Sequence, residues 1–181
     1  YRKTAEDLFL SEDAEGKKRF QLYDAFGSVE DEDLFDIIRY AAKAEGCMIV
    51  WVDHLSILVS DLDGNEDERR KIDKIMHGLK NLTVELGIYI GLISHLRKPP
   101  GNGKSFEEGA VPSLDDLRGS GGIKQLSNTV LAISRNQQAD NEQARNTSGI
   151  TDLKCRKTGR TGTADFLTFS DETGRLLKGI D

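Results

Sequence analysis

Two apolar runs constrain this chain more than anything else in it. They are CMIVWVD over residues 47–53 and IYIGLISH over residues 88–95. Each is a short, continuous hydrophobic stretch that closes on a polar residue, Asp53 in the first and His95 in the second. Runs of this length without alternation are the mark of strands buried in a parallel sheet. Between them Ile72, Ile75, Met76, Leu79, Leu82 and Leu86 recur at spacings of three and four, which predicts a helix over 67–86 that Gly87 ends. Strand, helix and buried strand in succession require a right-handed parallel crossover. Ligands of open parallel sheets bind at the carboxyl ends of the strands, and Asp53 and His95 fall at that edge.

The flanking segments extend this pattern. Residues 1–18 form a polar, helix-like lead-in whose apolar residues are Leu8, Phe9 and Leu10, and RFQLY at 19–23 reads as a strand. Ser28 reads as an N-cap, with Asp31 at the capping-box position. The helix it opens carries Leu34, Phe35, Ile37, Ile38 and Ala41, and Gly46 stops it. A loop rich in Asp, Gly, Asn and Glu covers 54–67, and a longer one covers 96–113. The stretch DLRGSGGIKQLSNTVLAISRNQQ at 116–138 then reads as a tight loop, a short helix and a strand over 129–135. A polar loop at 136–148 leads to short strands at 150–156, 164–169 and 175–178. The implied fold is α/β: a mainly parallel sheet over 19–135, with an antiparallel extension over 149–178.

Composition narrows the class of protein. A chain of 181 residues is the size of one domain and can bury a real core. With 37% hydrophobic and 31% charged residues it reads as soluble and folded, and no apolar run approaches the ~20 residues of a membrane helix. No signal sequence opens the chain, which begins at Tyr1 as a piece of a longer protein would. Cys47 and Cys155 both lie in strand-like apolar runs and read as reduced core residues of a cytosolic protein. The net charge of −6 argues against a general nucleic-acid binder but leaves room for local basic loops, and local charge is what a phosphate meets.

Several residues carry chemistry that a plain core does not need. Asp53, after its apolar strand, suits a magnesium ion beside a nucleotide's phosphates, and equally a turn or cap acid. His95 suits a group that senses a phosphate, or a satisfied loop histidine. Arg97, Lys98 and Lys104 share a loop with Pro99, Pro100, Gly101 and Gly103, which suits contacts to a phosphate backbone without base readout, or ordinary solvation. Lys154 and Arg156 alternate along LKCRKTG and so face one side. Two cations there call for an anion, as an arginine finger would find, or for a surface ion pair. Arg135 and Phe169 each end a strand-like run and can stack on a flat base, although a phenylalanine there also suits core packing. Arg118 sits beside three glycines, and Gln125 sits amid apolar residues. No G-x-x-x-x-G-K-[ST] phosphate loop occurs in the chain, since GNGKS at 101–105 lacks the upstream glycine.

Taken in order, VDHLS, LISHLRKPPGNGKSFEEG, VPSLDDLRGSGGIKQLSNTVLAISRNQQ and LKCRKTGRTG resemble the carboxyl-terminal helicase domain of ring-shaped replicative DNA helicases. The likeness is to the phage primase–helicase branch of the DnaB-type family and covers about residues 18–178. It implies a RecA-like, three-layer ATPase fold and a hexameric ring around single-stranded DNA. By resemblance, Asp53 is the Walker B aspartate that holds Mg2+, and His95 links the nucleotide site to the DNA loop. Arg97, Lys98 and Lys104 lie in that loop, which is one residue longer here near Pro99–Asn102. Arg118, Gly119 and Gln125 match the motif that lines the channel side. Arg156 matches the arginine finger, with Lys154 as its companion. Arg135 and Phe169 match the pair that holds the nucleotide base, where the family more often has tyrosine in place of Phe169.

The resemblance further implies ATP or another NTP as substrate, single-stranded DNA and a homo-oligomeric ring as partners, primase and polymerase as further candidates, and a cytoplasmic location in a bacterial host. The family's phosphate loop and catalytic glutamate have no counterpart here, so the fold is expected to be N-terminally truncated and the isolated chain to show little or no ATP hydrolysis. Two alternatives stand beside the helicase: another RecA-like ATPase of recombinase or clock type, and a non-enzymatic binding module related to helicases.

Overall fold

The computed structural model describes residues 2–23, 31–59, 65–97, 103–118 and 120–178. The chain divides into two compact units, residues 1–94 and residues 95–181. Ser28 lies outside the described residues.

The first unit contains helix α1 (Arg2–Phe9), helix α2 (Asp31–Lys43), strand β1 (Ile49–Val52), helix α3 (Asn65–Leu86) and strand β2 (Tyr89–Leu92). A 3-10 turn at Leu55–Val59 follows β1. The strands pair in parallel with Ile49 opposite Tyr89 and Val52 opposite Leu92, as the crossover through α3 requires. Gly46 and Gly87, with φ of +72° and +66°, take the left-handed conformation that ends α2 and α3. Ile72, Ile75, Met76, Leu79 and Leu82 form the buried stripe of α3, and Ile38 of α2 and Leu55, Leu58 and Val59 of the turn complete the core. The approach of α2 to α3 depends on Gly78, because the tip of the Phe35 ring fills the space where a β-carbon would stand.

Three expectations need correction in this unit. Residues 19–23 form no strand; a bridge pairs Glu12 with Lys18, and Phe20 lies edge-on to Phe9 with ring centroids 4.7 Å apart. The parallel strands are not buried on both faces: Ile49 is 61%, Trp51 66% and Tyr89 58% exposed. Their side chains share one face by the pairing register, and Trp51 lies over Gly91, its partner across the ladder. Among the described residues of this unit, no second layer covers that face. Cys47 is half-buried, as is Cys155 in the second unit, so neither thiol is a core residue; both are free.

The second unit contains helix α4 (Ser120–Leu126), strand β3 (Thr129–Arg135), helix α5 (Glu142–Asn146) and strands β4 (Thr147–Cys155), β5 (Gly162–Ser170) and β6 (Arg175–Lys178). The strands form one antiparallel sheet in the order β3-β4-β5-β6. The connections from β4 to β5 and from β5 to β6 are too short for the crossover of a dozen residues or more that a parallel return needs. Bulges fall between Val130 and Leu131 and between Ile150 and Thr151. Leu117, Ile123 and Ala132 are buried.

Candidate nucleotide and nucleic-acid site

The first unit contributes Asp53, one residue beyond β1. Past the strand ends the backbone stays stitched: Ile93 donates to the Val52 carbonyl at 3.0 Å, and Leu55 donates to the Ile93 carbonyl at 2.9 Å. These bonds fix the position of Asp53, whose side chain is exposed. Among the described residues no group of three His, Cys, Asp or Glu side chains is placed to hold a metal ion. A lone exposed carboxylate fits a magnesium ion that takes its other ligands from water and substrate phosphates, which is how that ion is usually bound.

The second unit gathers most of the other residues. His95, Leu96 and Arg97 run antiparallel to Asp116, Leu117 and Arg118. Arg97 donates its backbone N–H to the Asp116 carbonyl at 2.7 Å, and Arg118 donates to the His95 carbonyl at 3.2 Å. Between them Leu96 bridges to the buried Leu117. Three residues from separate motifs therefore share one short ladder, with the side chains of His95, Arg97 and Arg118 all exposed. A capping box holds the ladder's second limb: Asp116 accepts from the Ser113 backbone N–H at 2.7 Å and from its hydroxyl at 2.8 Å. Those bonds keep the Asp116 carboxyl below its ordinary value.

Lys98 and Gly119 lie outside the described residues. Lys104 is exposed at the far end of the loop, next to a compact turn. There Glu108 accepts from the Ser105 backbone N–H at 2.8 Å, which with the Ser105 hydroxyl and the charge of Lys104 lowers its carboxyl. Gln137 donates to the Glu107 carbonyl at 2.9 Å, tying the loop to the segment after β3.

Lys154 and Arg156 of LKCRKTG meet the carboxyl end of α4. Lys154 donates to the Lys124 carbonyl, and Arg156 Nη2 donates to the Gln125 carbonyl at 2.5 Å. Lys124 in turn pairs with Asp115. Helix carbonyls without intrahelical partners attract cations, so both side chains find acceptors where sequence suggested an anion or an ion pair. Gln125 is exposed, and it is its carbonyl that meets Arg156. The neighbouring Cys155 thiol is pulled below its ordinary value, chiefly by hydrogen bonds from Thr158.

Arg135 and Phe169 fall on one face of the sheet by its register, with β4 between their strands. Arg135 pairs with Ser148 and Ser148 with Leu167, and Phe169 follows Leu167 by two, so both project from one face. Phe169 is 37% exposed, so it is not a core residue. Arg135 Nε donates to the Arg145 carbonyl in α5. Sequence reading missed α5, which falls in the presumed polar loop. The available signal was Asn141, whose side chain accepts from the Ala144 N–H at 2.7 Å as an N-cap, with Glu142 in the first turn.

A family model described as the DnaB-like helicase C terminal domain matches residues 14–177. The chain belongs to this family. A DNA helicase/primase of Enterobacteria phage T3 is 41% identical over 161 residues, 89% of this chain and 28% of that protein. The replicative DNA helicase DnaB of Treponema pallidum is 31% identical over 111 residues, 61% of this chain and 24% of that protein. This DnaB-like domain thus spans between 24% and 28% of the length of these curated relatives. Among solved structures, a DnaB-like replicative helicase studied for its interactions with primase superposes with a TM-score of 0.66 at 23% identity, covering 88% of this chain and 37% of that one. A KaiC-like protein from Pyrococcus horikoshii OT3 superposes with a TM-score of 0.54 at 15% identity, covering 83% and 57%. These neighbours show a RecA-like α/β fold, as the sequence resemblance implied. No described helix is long and apolar enough to cross a membrane.

Proposed function

We propose that this DnaB-like domain is the part of a ring-shaped replicative helicase that joins nucleotide hydrolysis to movement along single-stranded DNA. The observation that carries this reading is the ladder of His95–Arg97 against Asp116–Arg118. A histidine facing the nucleotide and cations facing the DNA must move as one piece if hydrolysis is to displace a strand. A segment pinned by two backbone hydrogen bonds and an anchored leucine has that stiffness.

In this reading Asp53 holds Mg2+ beside the phosphates of ATP or another NTP, and Arg135 and Phe169 hold the base. Arg156, with Lys154 beside it, reaches the phosphates bound by a neighbouring copy in a hexamer. Arg97, Lys98 and Lys104 grip the DNA backbone, and Arg118 and Gln125 line the channel side. Primase and polymerase are the further partners, and the cytoplasm of a bacterial host is the setting. The bound metal supplies charge neutralisation of the phosphates.

Single-strand binding by the full-length protein tests the reading. Removing one cation from a DNA phosphate flattens the slope of log affinity against log salt by about 0.7. Arg97→Ala with Lys104→Ala is expected to weaken binding and reduce that slope by about 1.4. An unchanged slope would remove the loop from the DNA interface. Separation of a forked duplex distinguishes this function from that of a recombinase- or clock-type ATPase.

A further inference from the structure

Arg135 and Phe169 are held by a device that neither residue supplies. The side-chain oxygen of Asn146 accepts from Arg135 Nη2 at 3.5 Å, beside the bond from Arg135 Nε to the Arg145 carbonyl. The side-chain nitrogen of the same Asn146 donates to the Asp171 carboxylate at 3.2 Å. Asp171 stands two residues after Phe169, at the turn out of β5. One amide therefore spans from the guanidinium on β3 to the turn that follows Phe169, with β4 between them.

The chemistry of this link is selective. A carboxamide presents an acceptor to the cation and a donor to the carboxylate from one carbon; aspartate and leucine lack one or both. The platform beneath it is fixed as well. Arg145 Nη1 donates to the Ala139 carbonyl at 2.8 Å and the Asp140 carbonyl at 3.1 Å, and the Asn141 cap closes the start of α5. With Nε and Nη2 of Arg135 engaged, the plane of its guanidinium is set. A guanidinium stacks through its face, so the plane decides how a flat ring fits against it.

We infer that Asn146 is a positioning residue for nucleotide binding: it sets the plane of Arg135 and its spacing from Phe169, and so governs affinity for the base and discrimination among bases. This rests on the reading of Arg135 and Phe169 as the base-holding pair.

The test uses the full-length protein and competition of ATP, GTP, CTP and UTP against methylanthraniloyl-labelled ADP. Asn146→Ala is expected to raise nucleotide Kd about tenfold, the effect of losing one hydrogen bond to a charged group. It should also narrow the spread of affinities among the four nucleotides while kcat at saturation stays within about twofold. The exchange Asn146→Asp with Asp171→Asn reverses donor and acceptor and keeps an oxygen for Arg135, so it should recover most of the loss. In an Arg135→Ala background, Asn146→Ala should cost nothing further. If Arg135→Ala weakens binding while Asn146→Ala leaves Kd and discrimination unchanged, the positioning role is overturned and the base-holding pair survives. If Arg135→Ala itself leaves Kd unchanged, the pair falls and the inference with it. Should Asn146→Ala fail to fold, the exchange variant decides: a lasting loss of discrimination in a folded protein overturns the positioning role.

Discussion

Gly78 sets helix propensity against packing in one substitution. It lies inside α3, and alanine in a helix interior is favoured over glycine by about 1 kcal/mol. Propensity alone therefore predicts that Gly78→Ala stabilises the protein. The structure predicts the opposite sign. An added β-carbon would stand 2.0 Å from Phe35 Cζ and 2.6 Å from Cε1 and Cε2. Carbon atoms in contact prefer about 3.5–4.0 Å, so the ring tip must retreat by about 1.5 Å. Overpacking of this kind costs about 1–3 kcal/mol, and pushing the ring outward re-exposes apolar surface as well. The clash outweighs the propensity gain, and Gly78→Ala is expected to destabilise by about 1 kcal/mol. For a chain of this size that lowers Tm by roughly 2–4 °C.

The control is the same substitution with the obstacle removed. In a Phe35→Ala background, Gly78→Ala should stabilise by about 1 kcal/mol, which gives a coupling of about 2 kcal/mol in the double-mutant cycle. Urea unfolding of the four proteins, followed by far-UV circular dichroism, supplies all the terms. A stabilising Gly78→Ala in the Phe35 background would refute the argument. So would additivity across the cycle, because the packing of α2 on α3 would then not depend on that glycine.

Three further outcomes are expected. Arg156→Ala in the full-length protein should reduce hydrolysis by about 10³-fold or more while nucleotide binding persists; hydrolysis at the parental rate would remove the finger assignment. Lys154→Ala leaves the Lys124 carbonyl without that donor and should lower stability by about 1 kcal/mol; a Tm equal to that of the parent protein would show that this hydrogen bond contributes nothing. The Asp116 carboxyl, lowered by the backbone N–H and then the hydroxyl of Ser113, should titrate below 3.8 by carboxyl NMR. A carboxyl lowered in the folded state adds stability above its unfolded value, and that stability is lost as pH falls through the folded value. Ser113→Ala should therefore move the Asp116 titration upward and shrink the acid-side loss. A titration that does not move would contradict the capping box.

Local pattern made much of the fold legible. The three-and-four spacing of α3, the glycines that end α2 and α3, and the extents of β3 and β6 all follow from interactions within a few residues, which the sequence carries directly. The stretch that bears Arg118 is long and specific, and the shorter stretches that bear Asp53, His95 and Arg156 could be read because they stand in order around it. The five-residue α5 was not legible, since a helix shorter than two turns shows no periodicity, and Asn146 was missed with it.

Sequence by itself determined most of the element types, the crossover and the family, though it took 19–23 for a strand and α5 for a loop. Only the tertiary structure decided which separated segments meet. It placed His95–Arg97 against Asp116–Arg118, seated Lys154 and Arg156 on the carbonyls of α4, and put Arg135 and Phe169 on one sheet face. It also left Ile49, Trp51 and Tyr89 open on strands whose composition predicts full burial. The physical reason is the same in each case. Propensity and periodicity act over a few residues, whereas strand register and layer stacking are set by partners far along the chain.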